Sequence, residues 1–361
     1  MLSSPQLSAG DEVAVKSCVT RVKGSKPGSS ASDLKYVEQE VNCLGRLQET
    51  MHENVANMLA LHEGKYEVHI ILQYGAGGSL HRHLQGLDFR TGMAEAQAAA
   101  VLHQVGEALA HIHSRGVTHR DVKASNVVFD GPDKQSVRIV DFGFAALHFP
   151  RGAPSATAVT PPAAAAPAPS AAVAGALAFA EAGMADPSVG AAGTGGGVGG
   201  GGSGAGGGGG HRDYGKRLHT VCGTPSCMAP ELVKCGVVDQ SRAGYFGPPV
   251  DVWALACMAF EMLCSRPAFT ADSMKELHVR ILRCSHHPFP DFVSSRAKAF
   301  VRSLLVADAL DRPTAADAAV RLRGGAFAPV GRRRSSATGP PPAGAPVGAV
   351  VPADAPAVAT S

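Results

Sequence analysis

Four polar side chains in two short strings have the types and spacing that phosphoryl transfer requires. Asp121, Lys123 and Asn126 lie within six positions of one another, and Asp141 follows about twenty positions after Asp121. An aspartate can orient an attacking hydroxyl and accept its proton, and a lysine can neutralise the charge of a migrating phosphoryl group. Asparagine and aspartate offer the oxygen ligands that Mg²⁺ prefers. The set indicates transfer of a phosphoryl group from Mg-ATP to a hydroxyl.

Three strings in a fixed order carry a resemblance to a known family. The chain reads His-Arg-Asp-Val-Lys-Ala-Ser-Asn over 119–126, Asp-Phe-Gly over 141–143 and Ala-Pro-Glu over 229–231. This set resembles the strings of the eukaryotic protein kinase superfamily, serine/threonine type. The resemblance covers residues 9–149 and 213–327.

The resemblance implies an α+β, two-lobed, protein-kinase-like fold. The kinase domain is predicted over 9–328. A small β-sheet and one helix form a truncated N-lobe, residues 9–74, and a mainly α-helical C-lobe covers 75–328. Such a domain uses ATP and Mg²⁺ and acts on protein substrates.

The resemblance also assigns roles to the four polar side chains. Asp121 is the expected catalytic base, and Lys123 is expected to meet the γ-phosphate. Asn126 and Asp141 are the expected Mg²⁺ ligands. Lysine at position 123 is typical of serine/threonine kinases.

A lysine and a glutamate near the start of the chain resemble the family's phosphate-contacting pair. Lys16 ends the string Val-Ala-Val-Lys and matches the strand lysine that contacts the α- and β-phosphates. Glu40 stands where the family places the partner of this lysine. Glu38 is a rival two residues earlier, on a different face of the predicted helix.

The segment that resembles the adenine-contacting strand precedes the first glycine-rich break. Leu72 is expected at the gate to the rear of the nucleotide pocket. The backbone groups of Gln73, Tyr74 and Gly75 are expected to bond the adenine edge, a role that any side chain permits.

The region around the third string resembles the segment that seats the protein substrate. There, Thr224 is expected to hydrogen-bond Asp121 and Lys123, and Glu231 is expected to form a buried ion pair with Arg312. Asp251 and Trp253 are expected to anchor the central helix of the C-lobe. These are structural roles in the family.

A threonine in the same segment stands where an activating phosphothreonine usually lies. Thr220 is this residue, and Arg120 is its natural partner, because a phosphate orders a loop through an arginine. The hypothesis is that an upstream kinase phosphorylates Thr220 and raises activity. The alternative is an unmodified loop hydroxyl.

Hydrophobic patterns predict a small sheet and one helix before position 75. Alternation predicts a strand over Glu12–Cys18, and two apolar segments predict further strands over Asn57–His62 and Tyr66–Tyr74. Apolar residues at helical spacing after Ser32 predict a helix that this serine caps.

After the glycines at 75–78, the pattern becomes helical. Glu95–Arg115 is predicted as an amphipathic helix, and Val250–Leu263 is apolar nearly all round, which predicts a buried central helix. Val127–Phe129 and Val137–Val140 predict a short hairpin that frames the two catalytic strings. Further helices are predicted after a cap at Ser79 and over Asp272–Arg283, Ser294–Leu305 and Thr314–Arg323.

Two features depart from the family pattern. Only fifteen residues precede Lys16, so the glycine-rich loop that covers the phosphates is not recognisable, and an incomplete gene model is its simplest explanation. A Gly/Ala/Pro-rich insert at 150–212 lengthens the activation segment. Its composition predicts disorder, as does that of the tail at 329–361.

Charge, hydropathy and cysteine spacing limit the classes of partner and the cellular compartment. The formal charge of +3 is too slight to favour nucleic acid, and no apolar run predicts a membrane span. Eight cysteines occur without Cys-x-x-Cys pairs or a secretory leader, which favours reduced thiols in the cytoplasm or the nucleus.

The function that the sequence favours is a serine/threonine protein kinase. The alternative is a catalytically weak or inactive pseudokinase that acts as a binding scaffold; it explains the missing loop but leaves the intact catalytic set without a reason. A small-molecule phosphotransferase is disfavoured by Ala229–Glu231, Asp251 and Trp253, which resemble a platform for protein substrates.

Overall fold

The computed structural model describes residues 12–19, 31–64, 67–88, 90–148, 214, 216–237, 244–324 and 327. The predicted insert at 150–212 and the predicted tail at 329–361 lie outside the described residues. Among the helices that the structure describes, none combines the length and apolarity needed to cross a bilayer.

Three antiparallel strands and one helix form the N-terminal part of the molecule. The elements are β1 (Val13–Val19), α1 (Ala31–Gln48), β2 (Met58–Glu63) and β3 (Glu67–Gln73). The strands pair in the order β1–β3–β2, so β3 is central, and Lys16 lies opposite the fully buried Ile70. The three strands agree with the predicted segments to within one residue at each end.

Alternate residues of β1 face opposite sides of the sheet. Val15 and Val19 are exposed, whereas Lys16 is half-buried on the inner face, and α1 contributes the buried Glu40 and Leu44. The helix begins at Ala31, so the prediction that Ser32 caps it is wrong, because this serine already has helical backbone inside the first turn.

Five short strands follow the first sheet in the described part of the chain. The remaining strands are β4 (Gly78–Ser79), β5 (Val117–Thr118), β6 (Val127–Phe129), β7 (Val137–Ile139) and β8 (Ala146–Leu147). Strands β4, β6 and β7 form one sheet in that order, and β5 pairs with β8.

The connector between the two parts depends on close backbone contact. The N–H of Gly77 donates to the carbonyl of Phe129 at 3.0 Å, and a Cβ at position 77 would collide with the Gly131 carbonyl. Only glycine fits there.

The C-terminal part is mainly helical, which confirms the predicted fold class. Its helices are α2 (Leu80–Gln85), α3 (Glu95–Ser114), α4 (Pro230–Val237), α5 (Gly247–Cys264), α6 (Met274–Leu282), α7 (Ser295–Leu304) and α8 (Ala315–Val320). Ser79 caps α2 as predicted, because its hydroxyl accepts the Arg82 N–H at 3.2 Å. Ser294 and Thr314 cap α7 and α8 in the same way.

Helix α5 is the centre of the hydrophobic core. Nearly every residue of α5 is buried, as its uniform apolarity predicted. Trp253 stacks on Phe269 with ring centroids 5.6 Å apart, and the Arg312 guanidinium lies 5.1 Å from the Trp253 ring. Helix α3 packs against α5 and supports the loop that carries the first catalytic string.

Candidate active site

A buried aspartate fixes the loop that carries the first string. The carboxylate of Asp251 on α5 accepts hydrogen bonds from the backbone N–H groups of His119 (2.8 Å) and Arg120 (2.7 Å), and the His113 imidazole contacts it at 2.8 Å. Arg120 needs this support because its φ of 66° lies in the left-handed region. Burial raises the pKa of Asp251, but these partners, His113 foremost, outweigh burial and hold it below its ordinary value.

Asp121 lies at the centre of a closed set of hydrogen bonds. One carboxylate oxygen accepts from the backbone N–H of Thr224 (3.1 Å) and from its hydroxyl (2.9 Å). The other pairs with the Lys123 ammonium at 2.7 Å and accepts from the Asn126 amide at 3.0 Å. Lys123 also donates to the Thr224 hydroxyl at 2.9 Å. The two contacts that the resemblance implied for Thr224 are therefore both present.

The predicted phosphate-contacting pair meets between the sheet and α1. The Lys16 ammonium lies 2.8 Å from both carboxylate oxygens of Glu40 and 2.7 Å from Oδ1 of Asp141. The structure thus brings Glu40, and not its rival Glu38, to Lys16. A single ammonium joins the strand, the helix and the Asp-Phe-Gly string.

The three charges of this ion-pair cluster shift one another's pKa values. Burial lowers the pKa of Lys16, but hydrogen bonds to Asp141 and Glu40 outweigh it and raise the pKa above the ordinary value. Burial raises the pKa of Glu40 despite the lysine. Burial also raises the pKa of Asp141, yet the hydrogen bond from Lys16 brings it below the ordinary value. Lys16 therefore stays charged across the physiological range.

The two predicted magnesium ligands have different surroundings. Asn126 is buried, and its amide nitrogen donates to the backbone carbonyl of Asp121 at 2.9 Å as well as to its carboxylate. Asp141 has a φ of 62° and a side chain that is 45% exposed, with one oxygen accepting from the Gly143 N–H at 3.3 Å. Both offer oxygen donors, which fit a hard cation such as Mg²⁺.

The predicted adenine-contacting segment follows directly from the central strand. Leu72 is buried at the end of β3, and Tyr74 is exposed. The Gln73 N–H already donates to the Asn57 carbonyl at 3.1 Å, and the Gly75 carbonyl accepts the N–H of Gly78 at 3.3 Å. The Gln73 N–H is therefore already paired, whereas the Gly75 carbonyl can still accept a second hydrogen bond.

Arg120 holds the segment that contains Thr220 through that segment's backbone. Its guanidinium lies 3.5 Å from the Thr220 carbonyl and 3.2 Å from the Tyr245 hydroxyl, which itself donates to the same carbonyl at 2.7 Å. A third contact reaches the Phe144 carbonyl at 2.6 Å. Thr220 is exposed, so its hydroxyl is open to modification beside a cation.

A buried ion pair fixes the helix that follows the third string. The guanidinium of Arg312 is fully buried and binds both carboxylate oxygens of Glu231, at 2.6 and 2.7 Å. It also donates to the Pro249 carbonyl at 2.9 Å and to the Val306 carbonyl at 2.8 Å. The ion pair that the resemblance implied is present, and it ties α4 to the first turn of α5.

Two residues that support the site were missed by the sequence reasoning. His113 lies at the end of α3 and Tyr245 just before α5, 138 and 125 positions from Asp251 and Arg120, which they contact. Neither belongs to a motif. Only the three-dimensional arrangement of distant segments reveals their roles.

Comparisons with known proteins match the chain to one family model and to several relatives. The family model described as the protein kinase domain matches residues 5–167 and 208–321. A probable myosin light chain kinase of Dictyostelium discoideum is 24% identical over 311 residues, which cover 85% of this chain and 58% of that protein. Calcium/calmodulin-dependent protein kinase type 1B of Rattus norvegicus is 26% identical over 290 residues, 79% of this chain and 62% of that protein.

A third relative is matched over a similar share of this chain. The hormonally up-regulated neu tumor-associated kinase of Mus musculus is 24% identical over 322 residues, 87% of this chain and 35% of that protein. The chain thus spans less than two thirds of the length of each of these relatives. At such identities the comparisons address the domain and leave substrates open.

Proposed function

The chain belongs to the protein kinase family, and from this premise we propose that it transfers the γ-phosphoryl group of Mg-ATP to serine or threonine hydroxyls of protein substrates. The observation that carries the proposal is the set of contacts around Asp121. Thr224, Lys123 and Asn126 all bind this carboxylate, which fixes its direction. The relatives, named as kinases, support the same class of reaction.

In the proposed reaction, the carboxylate of Asp121 orients the substrate hydroxyl and finally accepts its proton. Lys123 lies beside it and places a positive charge where the phosphoryl group migrates. Because Thr224 contacts both groups, it positions the base and the cation relative to each other. Most of the rate enhancement in such a site comes from this positioning and from electrostatic stabilisation.

The nucleotide is proposed to bind between the sheet and the catalytic loop. Lys16, oriented by Glu40, contacts the α- and β-phosphates, and Leu72 with the segment Gln73–Gly75 receives the adenine. Asn126 and Asp141 hold Mg²⁺, which supplies positive charge to the phosphate oxygens when it is bound. Lys16 also contacts Asp141 directly, so one ammonium lies beside both the proposed phosphate contact and a proposed metal ligand.

We extend the proposal to domain limits and control. The kinase domain spans residues 9–328, and its two lobes meet at Gly75. An upstream kinase phosphorylates Thr220, because the exposed hydroxyl lies in a segment whose backbone already contacts the Arg120 guanidinium. A Thr220→Ala chain that is fully active would contradict the regulatory part.

The alternative function is a scaffold that keeps the fold without transferring phosphate. One observation is compatible with it: Lys16 pairs with Glu40 and Asp141, so these charges neutralise one another within the fold. Against it, a scaffold role gives no reason for Lys16 and Asp141 to be kept together with Asp121, Lys123 and Asn126. The kinase reading accounts for all of these residues together.

The experiment that tests the proposed function is labelled-phosphate transfer to a panel of peptides. Matched peptides that differ only in a serine, threonine or tyrosine acceptor are incubated with the chain and Mg-ATP, before and after treatment with an activating kinase. Transfer to serine and threonine peptides, with little to tyrosine, supports the proposal. Transfer to none of them, despite measurable Mg-ATP binding, supports the scaffold.

A further inference from the structure

Two cysteines from distant parts of the chain meet at the floor of the groove beside the catalytic loop. Cys227 ends the 3₁₀ turn Pro225–Cys227, immediately after Thr224, and Cys257 lies in the middle of α5. The turn packs against α5, and the two thiols lie close enough to shift each other's pKa values. Thirty positions separate them in sequence, so the pairing is a property of the fold.

The groove gives a small oxidant access to this thiol pair. Its volume is about 290 Å³, and both cysteines line it together with Lys123, Ser226 and Glu261. Cys227 is half-buried, whereas Cys257 is only 3% exposed. The Cys227 thiol can therefore be reached from solvent, whereas the Cys257 thiol is buried.

We propose that Cys227 and Cys257 form a reversible disulfide when the protein meets a peroxide. In the first step the Cys227 thiolate attacks a peroxide oxygen, the O–O bond breaks, and with one proton a water leaves. The resulting sulfenic acid is attacked by the Cys257 sulfur. The S–S bond forms, the S–O bond breaks, and the hydroxyl leaves as water with the Cys257 proton. Two thiols are oxidised by two electrons, and hydrogen peroxide is reduced to two waters.

The electrostatics of the pair agree with this order of events. The interaction with Cys257 lowers the pKa of Cys227 against the opposing effect of burial. Burial raises the pKa of Cys257 well above its ordinary value. Because the thiolate is the reactive form, Cys227 is the thiol that reacts first and Cys257 the one that resolves.

A disulfide at this place would act on the segment that orients the catalytic carboxylate. Thr224, which holds Asp121 and Lys123, precedes Cys227 by three positions. A covalent link from Cys227 to α5 pulls the turn toward the core. Small displacements near reacting groups greatly lower the rate of the reaction. This consequence, unlike the disulfide itself, rests on the proposed phosphoryl transfer.

The disulfide is tested first without any reference to activity. The full-length reduced chain is treated with hydrogen peroxide, the remaining thiols are alkylated, and non-reduced peptides are mapped by mass spectrometry. We expect linked Cys227–Cys257 peptides that disappear with dithiothreitol and in Cys227→Ser. Oxidation of Cys227 without a link to Cys257, or a link to Cys222 instead, would overturn the proposal.

The consequence is tested with two variants of the same helix. Cys257→Ala removes the resolving thiol, and Cys264→Ala removes another buried thiol of α5 as the matched control. After excess peroxide, transfer by the unmodified chain and by Cys264→Ala should fall about tenfold or more and recover with dithiothreitol. In Cys257→Ala, Cys227 proceeds to the sulfinic acid, so recovery should fail.

The peptide map and the transfer assay distinguish a failure of the disulfide from a failure of the proposed function. Recovery of Cys257→Ala to the level of the unmodified chain would overturn the assignment of Cys257 as the thiol that resolves oxidised Cys227. If Cys257→Ala does not fold, as thermal unfolding would show, the peptide map of the unmodified chain still decides. A chain that forms the link but transfers no phosphate under any condition would refute the proposed function and leave the disulfide standing.

Discussion

The two halves of the candidate site hold their charges in different ways. In the helical half, the Asp121 side chain is 3% exposed and is bound by three residues. In the sheet half, the side chains of Lys16 and Asp141 are 36% and 45% exposed and depend on each other and on Glu40. The core fixes the partners of the first half, whereas the partly exposed charges of the second half can exchange partners.

This difference has an energetic basis. A buried charge that loses its partner costs several kcal/mol, so the groups around Asp251, Asp121 and Arg312 are fixed by the fold itself. Ion pairs with solvent access contribute about 0–1 kcal/mol and rearrange easily. Under the proposed function, Lys16 and Asp141 are the groups that adapt their contacts when Mg-ATP binds. We infer that stability and positioning reside in the helical half and that adaptability resides in the sheet half.

The largest expected effect concerns the buried ion pair of the helical half. Arg312→Met leaves Glu231 without its partner, and we expect the free energy of unfolding to fall by roughly 3–5 kcal/mol. Urea unfolding monitored by circular dichroism measures it. The control is Arg280→Met on α6. Arg280 forms an exposed ion pair with Glu276, four positions earlier in the same helix. That change should cost about 0.5 kcal/mol or less, and equal losses in the two variants would remove the distinction between buried and exposed pairs.

The next effect is a pH dependence of stability in the helical half. Burial lowers the pKa of His148 from 6.5 to about 4. The unfolded chain therefore binds a proton between pH 6.5 and about 4 that the folded chain does not bind, and the free energy of unfolding decreases as the pH falls through this window. The loss amounts to roughly 3 kcal/mol by pH 4 at 1.36 kcal/mol per unit.

A variant at this position isolates the histidine's contribution. His148→Gln keeps a polar partner for the Thr118 hydroxyl, which His148 contacts at 2.8 Å, but cannot titrate. Its stability should change less between pH 6.5 and 4 than that of the unmodified chain. His278→Gln, on α6, serves as the control and should retain the original slope. An unchanged slope in His148→Gln would show that other groups cause the acid sensitivity.

A smaller effect is expected from the residue that joins base and lysine. Thr224→Val removes the hydroxyl that contacts Asp121 and Lys123 but keeps the shape of the side chain. Loss of hydrogen bonds to charged groups costs about 1.5–3 kcal/mol, so kcat should fall roughly 10- to 150-fold with little change in the KM for ATP. Thr270→Val, whose hydroxyl contacts His287 in the same part of the molecule, is the control and should retain full kcat. A fall confined to the KM for ATP would place Thr224 in nucleotide binding instead.

The smallest effect on stability belongs to the sheet half. Lys16→Met should lower the free energy of unfolding by less than Arg312→Met does, because the lysine is partly solvated and the buried Glu40, whose pKa burial already raises, can take up a proton when it loses its partner. Its effect should instead lie in a raised KM for ATP, since the proposed phosphate contact is lost. Lys35→Met, an exposed lysine on α1, should change neither quantity. A loss of stability comparable to that of Arg312→Met would contradict the proposed difference between the halves.

The sequence predicted the elements well because their patterns are local. The alternation around Lys16 and the uniform apolarity of α5 placed the strand and the central helix within a few residues of their observed limits. Ser32 was wrongly predicted as a cap, since a serine favours a cap only where the preceding backbone is not already helical.

What could not be predicted depends on how distant segments pack. The choice between Glu40 and Glu38 is set by the rotation of α1 against the sheet, which no local pattern encodes. The same holds for His113 beneath the catalytic loop and for Tyr245 beside Arg120, whose partners lie more than a hundred positions away.

The central claim is that Asp121, held in place by the core, serves phosphoryl transfer and not nucleotide binding. Single-turnover transfer from labelled Mg-ATP to a serine peptide, measured for the unmodified chain and for Asp121→Asn, tests it most directly, with Mg-ATP affinity measured in parallel. The account predicts that transfer falls about 10²- to 10⁴-fold while affinity stays nearly the same. Equal transfer by both chains, or by neither, would contradict it.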